Sequence, residues 1–300
     1  MSFALVINSQ NLVGNGNNTF QYNFIGNTFT IPEGSEMMVT NIQIPYSFYN
    51  ISQAYGNNSI TLNFPNNSAG YTAYNWTIPD GFYTVSSLNY WLQQQMIANN
   101  LYLVNTSTGQ NVYFISIVVN TFQYGNQVLA YTVPLSLYAG YSIPTNGSFT
   151  FPTGVARTPY LTIPKLLSTP TIGTLLGFGS TSATTNIPAA NSTTNTSNNS
   201  TMTPMGSTIN SLILRCSLVN NKVTSPFDIL DSFSIPNGTT FGQNINYTPQ
   251  VSKWVRISNG TFSNFTISFT DQNLNVINAN DPNILVTLLL KFPKRKQYYL

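Results

Sequence analysis

The sequence contains no histidine and a single cysteine in 300 residues. Without an imidazole, a catalytic relay of the Ser/His/Asp or Cys/His type is excluded, because such relays need a group that exchanges a proton near neutral pH. Zinc and copper sites are also disfavoured, because their usual ligands are imidazole and thiolate, and the chain has no histidine and one cysteine. Carboxylate chemistry and oxygen-ligated metals are the options that the composition leaves open.

The lone cysteine, Cys216, has no partner for an internal disulfide, so nothing indicates an oxidising secretory route. It lies in the alternating run Leu212, Leu214, Cys216 and Leu218. That position predicts a small core side chain rather than a reactive thiol.

Charge is also scarce. Charged residues make up 6% of the chain, whereas about 25% is usual for a soluble domain. The 42% of hydrophobic residues argues against disorder, and the polarity comes from Asn, Ser, Thr and Gln. Because uncharged side chains enter protein contacts without the desolvation cost of an ion, we expect much of the surface to meet other protein.

The few charges are unevenly placed. No Lys or Arg precedes Arg157, whereas Glu33, Glu36 and Asp80 do, so this part has a net charge of −3. The remainder has ten basic and four acidic residues, a net charge of +6. Its basic end is formed by Lys291, Lys294, Arg295 and Lys296. Two interpretations stay open: a solvated tail, or an interior-facing tail in weak contact with a genome or an acidic membrane.

The N-terminal residues lack the basic leader and long apolar core of a signal peptide. The longest apolar stretch, 284–290, is interrupted by Thr287 and is far shorter than the roughly 20 residues that cross a bilayer. We therefore expect a soluble protein made in the cytoplasm.

Apolar residues recur with a period of two, which is typical of strands with one buried face. The clearest examples are Ile60/Leu62/Phe64, Leu129/Tyr131/Val133, Phe265/Ile267/Phe269 and the long terminal run Ile284/Val286/Leu288/Leu290/Phe292. Turn signals such as Pro79-Asp80-Gly81 separate the strands. Many short strands separated in this way predict an all-β sandwich, jelly roll or barrel.

One segment follows helical spacing instead. Val85, Leu88, Leu92 and Met96 would share one face of a helix over about 84–99. Thr84 and Ser86 are both suitable N-caps.

The segment 180–207 breaks the pattern with a run of Asn, Ser and Thr. Such a run buries too little apolar area to offset the entropy of ordering it, so it predicts a flexible, exposed loop. Together with the Pro-rich region before it, this loop predicts an insertion or small lobe at about 134–208 within one domain spanning 1–300.

Several stretches together resemble the penton and minor capsid proteins of giant-virus relatives, virophages and polinton-type double-stranded DNA viruses. They are NNTFQYNF at 17–24, GSE at 34–36, IPYSFYNIS at 44–52, IPDGFYTVSSLNYWL at 78–92, LLGF at 175–178 and FTDQ at 269–272. The resemblance rests on their order over most of the chain.

The resemblance implies a single jelly roll of two four-stranded antiparallel sheets, with no catalytic residues and no cofactor. It implies homopentamers at the five-fold vertices of a virion, next to the major capsid protein, and no small-molecule substrate. A closed ring needs a head-to-tail interface, for which aromatic residues are well suited. Tyr46, Phe48 and Tyr49 are our first candidates for that contact, with core filling as the alternative.

Other functions stay open. The chain could be a minor capsid (cement) protein that bridges major capsid capsomers, or a non-viral jelly-roll carbohydrate-binding module or hydrolase. A hydrolase needs two acids roughly 5–10 Å apart; the nearest pairs in sequence are Glu33/Glu36, Asp228/Asp231 and Asp271/Asp281, which turn chemistry explains better. A surface adhesin or fibre is a third class, which the missing signal peptide disfavours.

Overall fold

A computed structural model describes residues 2–14, 17–145, 147–164, 171–179, 184–204, 209–222, 225–277 and 279–293. β-Strands dominate it, which confirms the all-β prediction. The chain divides into two compact units. The first joins 1–48 to 209–300, and the second, Tyr49–Thr208, is inserted between them in the sequence. The predicted insertion at 134–208 falls inside this second unit, which begins earlier.

The first unit begins with four strands: β1 (Ser2–Asn8), β2 (Thr19–Asn23), β3 (Phe29–Ile31) and β4 (Glu36–Pro45). The second unit follows with β5 (Ser59–Pro65), β6 (Tyr71–Thr77), α1 (Val85–Ala98), β7 (Tyr102–Asn105), β8 (Asn111–Tyr113), β9 (Ile115–Asn120), β10 (Gly125–Ala130), β11 (Tyr141–Ser142), β12 (Tyr160–Pro164), α2 (Ile172–Leu176), β13 (Thr184–Ile187) and β14 (Thr196–Asn199). The first unit then resumes with β15 (Ser211–Cys216), β16 (Ile229–Ser234), β17 (Asn244–Tyr247), β18 (Val255–Arg256), β19 (Gly260–Phe262), β20 (Asn264–Asp271) and β21 (Leu285–Lys291).

Eight strands of the first unit form two four-stranded antiparallel sheets. One sheet has the order β1-β21-β4-β17, with β18 added beside β4, and the other has the order β16-β15-β20-β2. Counted along the chain, the first of the eight strands pairs with the eighth, the second with the seventh, the third with the sixth and the fourth with the fifth. This is a long hairpin wound into a sandwich, the strand order of a jelly roll.

Alternate residues of these strands fill the interior. Phe265, Ile267 and Phe269 of β20 are each 1% exposed, and Leu288 of β21 is fully buried. These positions confirm the strands expected from the period-two runs at 265–269 and 284–292. Cys216 is also buried, at the end of β15, as its alternating neighbours predicted.

Different contacts close the two long edges of the sandwich. Near β1 and β2, ring contacts run from Phe3 through Phe292, Phe29 and Phe24 to Phe265, with successive centroids 4.8–5.8 Å apart. These rings join β1 of one sheet to β20 of the other.

At the opposite edge, β17 of the first sheet meets β16 of the second. The ring of Tyr247 stacks on Phe233 at 4.4 Å, and its hydroxyl donates a hydrogen bond of 3.0 Å to Asp231. Lys253 pairs with the same carboxylate at 3.2 Å. We call Asp231, Phe233, Tyr247 and Lys253 the clasp.

The second unit contains three small sheets, ordered β13-β12-β5-β6, β14-β10-β9 and β11-β7-β8. Its core is a cluster of apolar side chains that includes Leu62, Leu103 and Ile117 with Leu88 and Leu92 of α1. Helix α1 confirms the predicted helix. Its N-cap is Thr84, whose hydroxyl accepts from the Ser87 N–H in a capping box.

Two expectations differ from the structure in the second unit. Two segments of the loop predicted at 180–207 are strands instead: 184–187 forms β13, which pairs with β12, and 196–199 forms β14, which pairs with β10. The parts of that prediction at 180–183 and 205–207 lie outside the described residues. In β10, Val128 and Ala130 are fully buried, and Tyr131, which follows the strand, is 44% exposed. The predicted buried face of Leu129, Tyr131 and Val133 is therefore wrong for the half-buried Leu129 and the exposed Tyr131, because Val128 and Ala130 form the inner face of β10; Val133 is fully buried. Within the described residues, no helix is long and apolar enough to span a membrane.

Candidate functional site

The predicted contact residues lie mostly inside the protein. Tyr46 is 5% and Phe48 2% exposed, and their rings meet edge to face at 5.8 Å. Phe48 also forms a β-bridge with Ala279. Tyr49 is half-buried. Tyr46 and Phe48 therefore occupy the core-filling position that was the alternative interpretation, and they have little surface to offer to a neighbour.

Of the four basic residues predicted as a tail, Lys294, Arg295 and Lys296 lie outside the described residues. Lys291 is the last residue of β21. Its ammonium group pairs with Glu36 at 2.9 Å and lies 4.9 Å from the centre of the Trp254 ring. Lys291 thus belongs to the surface of the first sheet.

The carboxylates, which an alternative hydrolase would use, mostly have structural partners. Asp228 pairs with Arg215 at 2.8 Å, and Asp231 belongs to the clasp. Three others accept backbone N–H groups in turns and loops: Asp80, Asp271 and Asp281. Such bonds are what turn chemistry requires of Asp. No group of acids able to hold a metal ion occurs among the described residues.

The thiol of Cys216 is equally unsuited to chemistry. Burial raises its pKa to about 12, mainly because a thiolate would be desolvated there. The nucleophilic form is therefore scarce at neutral pH.

One apolar surface of the first unit is the outer strand β1. It lies at the edge of its sheet, with β21 as its neighbour. Val6 is 49% and Phe3 37% exposed, and the strand SFALVIN contains neither charge nor proline. Natural edge strands usually carry charged residues or proline, which prevent pairing with other chains. An edge without them is suited to contact with another protein.

The second unit has an apolar surface of its own at the turn between β9 and β10. Phe122 is 97% and Tyr124 84% exposed there. Beside them is a cavity of about 480 Å³ between this hairpin, α1 and α2, lined by residues such as Leu88, Val119 and Leu175. Its described lining contains no charged side chain.

A second cavity, of about 410 Å³, lies in the first unit. It is lined by Asn220, Asn221, Lys222, Trp254, Val255 and Arg256. Two cations and an indole ring thus face one space. The sequence did not predict this site, because its two segments, 220–222 and 254–256, are separated in the sequence and meet only in the fold, where the Asn220 N–H donates to the Arg256 carbonyl at 3.4 Å.

The strand order defines the class: a single jelly-roll protein. No family model matches the sequence, and no curated protein matches it. Among solved structures, the chain is similar to the mavirus penton protein, with 10% identity, a TM-score of 0.45, and coverage of 98% of this chain and 100% of that one. It is also similar to a chain of the Sputnik virophage, with 13% identity, a TM-score of 0.40 and 99% of each chain covered.

Proposed function

We propose that this chain is a structural capsid subunit, the penton protein that forms homopentamers at the five-fold vertices of a double-stranded DNA virus. The observation that carries the proposal is a jelly-roll sandwich with an uncharged, apolar edge strand. Jelly rolls of eight strands are typical of viral capsid and lectin domains. Most acids of the chain are engaged in ion pairs and turns, which favours a structural capsid subunit over a hydrolase.

Strand β1 is the proposed contact in place of the buried Tyr46 and Phe48, with Tyr49 as a further candidate. A ring of identical subunits needs one patch that meets a different patch on its neighbour. The half-exposed Val6 and Phe3 provide apolar area for one of them. The neighbours of the pentamer would be the major capsid protein, and the subunit would be made in the host cytoplasm before it enters the virion.

The experiment is a measurement of mass in solution with electron microscopy of the purified chain. We expect particles of five times the 33.1 kDa of one chain, with five-fold rings. A persistent monomer would refute the penton assignment. A monomer that binds only to major capsid capsomers would support the cement protein, and a trimer the fibre.

The variant Val6→Lys tests the contact strand. Burying the exposed half of a valine contributes about 1 kcal/mol to each interface, and an unpaired buried charge costs several kcal/mol more. We expect Val6→Lys to yield monomers whose stability is within about 0.5 kcal/mol of the wild type, because the side chain is at the surface. The control is Val155→Lys, since Val155 is 54% exposed in the second unit. A pentameric Val6→Lys protein would place the interface elsewhere.

A further inference from the structure

The cavity at Trp254 has a defined frame. Strand β18 places Val255 opposite Met37 and Arg256 opposite Glu36 of β4. On its other side, the Asn220 N–H donates to the Arg256 carbonyl at 3.4 Å, and the Ser258 N–H donates to Leu218 at 2.7 Å. The segment that carries Lys222 is therefore held beside the segment that carries Trp254.

Positive charge is in excess around this cavity. Glu36 is flanked by Arg256 and Lys291 on the two neighbouring strands, and its carboxylate pairs with Lys291. Neither Arg256 nor Lys222 forms an ion pair within the described residues, whereas Arg215, Lys253 and Lys291 all do. In a chain with so few charges, two exposed and unpaired cations share one cavity.

We propose that this cavity binds single-stranded nucleic acid, with Arg256 and Lys222 holding phosphates and Trp254 stacking on a base. A volume of about 410 Å³ suits one nucleotide unit, since small-ligand sites span about 300–1,000 Å³. Arg forms paired hydrogen bonds with phosphate oxygens, and Lys acts as a point charge beside them.

The ring is what favours nucleic acid over an anionic membrane. Proteins that bind single strands without sequence preference combine a basic groove with aromatic rings, on which any base can stack. An indole that anchors a protein to a membrane projects into the lipid interface, whereas Trp254 is half-buried beside the two cations. The Lys291 ammonium group, paired with Glu36, lies over one face of the half-buried Trp254 ring, so a base would stack on the other face.

The test is fluorescence anisotropy of a labelled oligothymidylate of about ten nucleotides, titrated with the full chain from low to physiological salt. We expect binding that weakens as the salt concentration rises. The negative slope of log K against log salt should become shallower by about 0.7 in Arg256→Gln and likewise in Lys222→Gln, because each variant loses one phosphate contact. Trp254→Leu should weaken binding about tenfold, and Trp254→Phe should restore most of it, because phenylalanine still stacks.

Arg157→Gln is the matched control, because it also removes one cation but lies in the second unit. It should leave both the affinity and the salt slope unchanged. Equal effects of Arg157→Gln and Arg256→Gln would refute the site, as would absence of binding at low salt. Binding to vesicles that contain phosphatidylserine, without binding to the oligonucleotide, would overturn it in favour of a membrane. The result is independent of the pentamer, since a monomeric chain that binds DNA would refute only the penton assignment.

Discussion

Replacing Tyr247 by phenylalanine removes one oxygen atom from the clasp and keeps the ring that stacks on Phe233. The Asp231 side chain is 4% exposed. It accepts hydrogen bonds from the Tyr247 hydroxyl at 3.0 Å, from the Lys253 ammonium at 3.2 Å and from the Ser232 N–H at 2.9 Å. The variant leaves this nearly buried carboxylate with one partner fewer.

Tyr247 and Lys253, the two side-chain partners of Asp231, should contribute unequally to the free energy of unfolding. A hydrogen bond to a charged group contributes about 1.5–3 kcal/mol, so we expect Tyr247→Phe to lower the free energy of unfolding by about 2 kcal/mol. The Lys253 side chain is 58% exposed, and such solvated ion pairs contribute about 0–1 kcal/mol. Lys253→Gln should therefore cost less than Tyr247→Phe, although it removes a full charge.

Urea unfolding followed by tryptophan fluorescence measures both losses; Trp254 reports on the first unit, and Trp76 and Trp91 report on the second. With a slope of about 1–3 kcal/mol per molar urea, Tyr247→Phe should shift the midpoint by about 1 M. Tyr22→Phe is the control, since the Tyr22 hydroxyl has no hydrogen bond within the described residues. A Tyr247→Phe midpoint equal to that of the wild type, or a larger loss in Lys253→Gln, would refute the reasoning.

The same clasp predicts a dependence on alkaline pH. Burial, together with the hydrogen bond to Asp231, raises the pKa of Tyr247 from 10.0 to about 12. The folded state therefore holds this proton more tightly than the unfolded state does. The resulting stability is fully present below pH 10 and is lost as the pH rises toward 12. The difference between wild type and Tyr247→Phe should narrow over that interval.

Two further predictions concern single residues. Cys216 should not react with a thiol reagent in the folded protein at neutral pH and should react in urea, because burial raises its pKa to about 12; fast modification of the folded chain would contradict this. Thr84→Ala should lower the stability of the second unit by about 1 kcal/mol through loss of the N-cap, as measured by thermal unfolding. The control is Ser86→Ala, since Ser86 is exposed and its loss should change the stability little; equal losses of stability in both variants would speak against the cap.

The sequence predicted best those elements that bury a regular face. The phenylalanines of β20 and the leucines of α1 show their period because one side of each element is fully inside. In β10 the run Val128-Leu129-Ala130-Tyr131 is apolar throughout, so its phase could not be chosen from the pattern. Strand β14 is polar and is held by its pairing with β10 and by amide contacts such as Gln127 with Asn199 at 2.8 Å. Such a strand has no hydrophobic signal.

The sites were harder to predict than the strands. The first strand of the second unit, β5, carries the same period-two pattern as the sandwich strands, so no change of pattern marks the start of this unit in the sequence. Tyr46 and Phe48 were proposed from residue type alone, which does not separate a core ring from a contact ring. The cations Lys222 and Arg256 come together only through the register of β18 and the path of the chain after β15.

The placement of the second unit has a consequence for synthesis on the ribosome. Strand β1 pairs with β21, the last strand of the sandwich. At roughly 5–20 residues per second, β1 must wait about 15–60 s for this partner to emerge. Meanwhile the whole of Tyr49–Thr208 leaves the ribosome as one uninterrupted stretch and is free to fold. During that interval the uncharged strand Ser2–Asn8 is exposed on nascent chains, so crowded polysomes favour premature association unless a chaperone shields it.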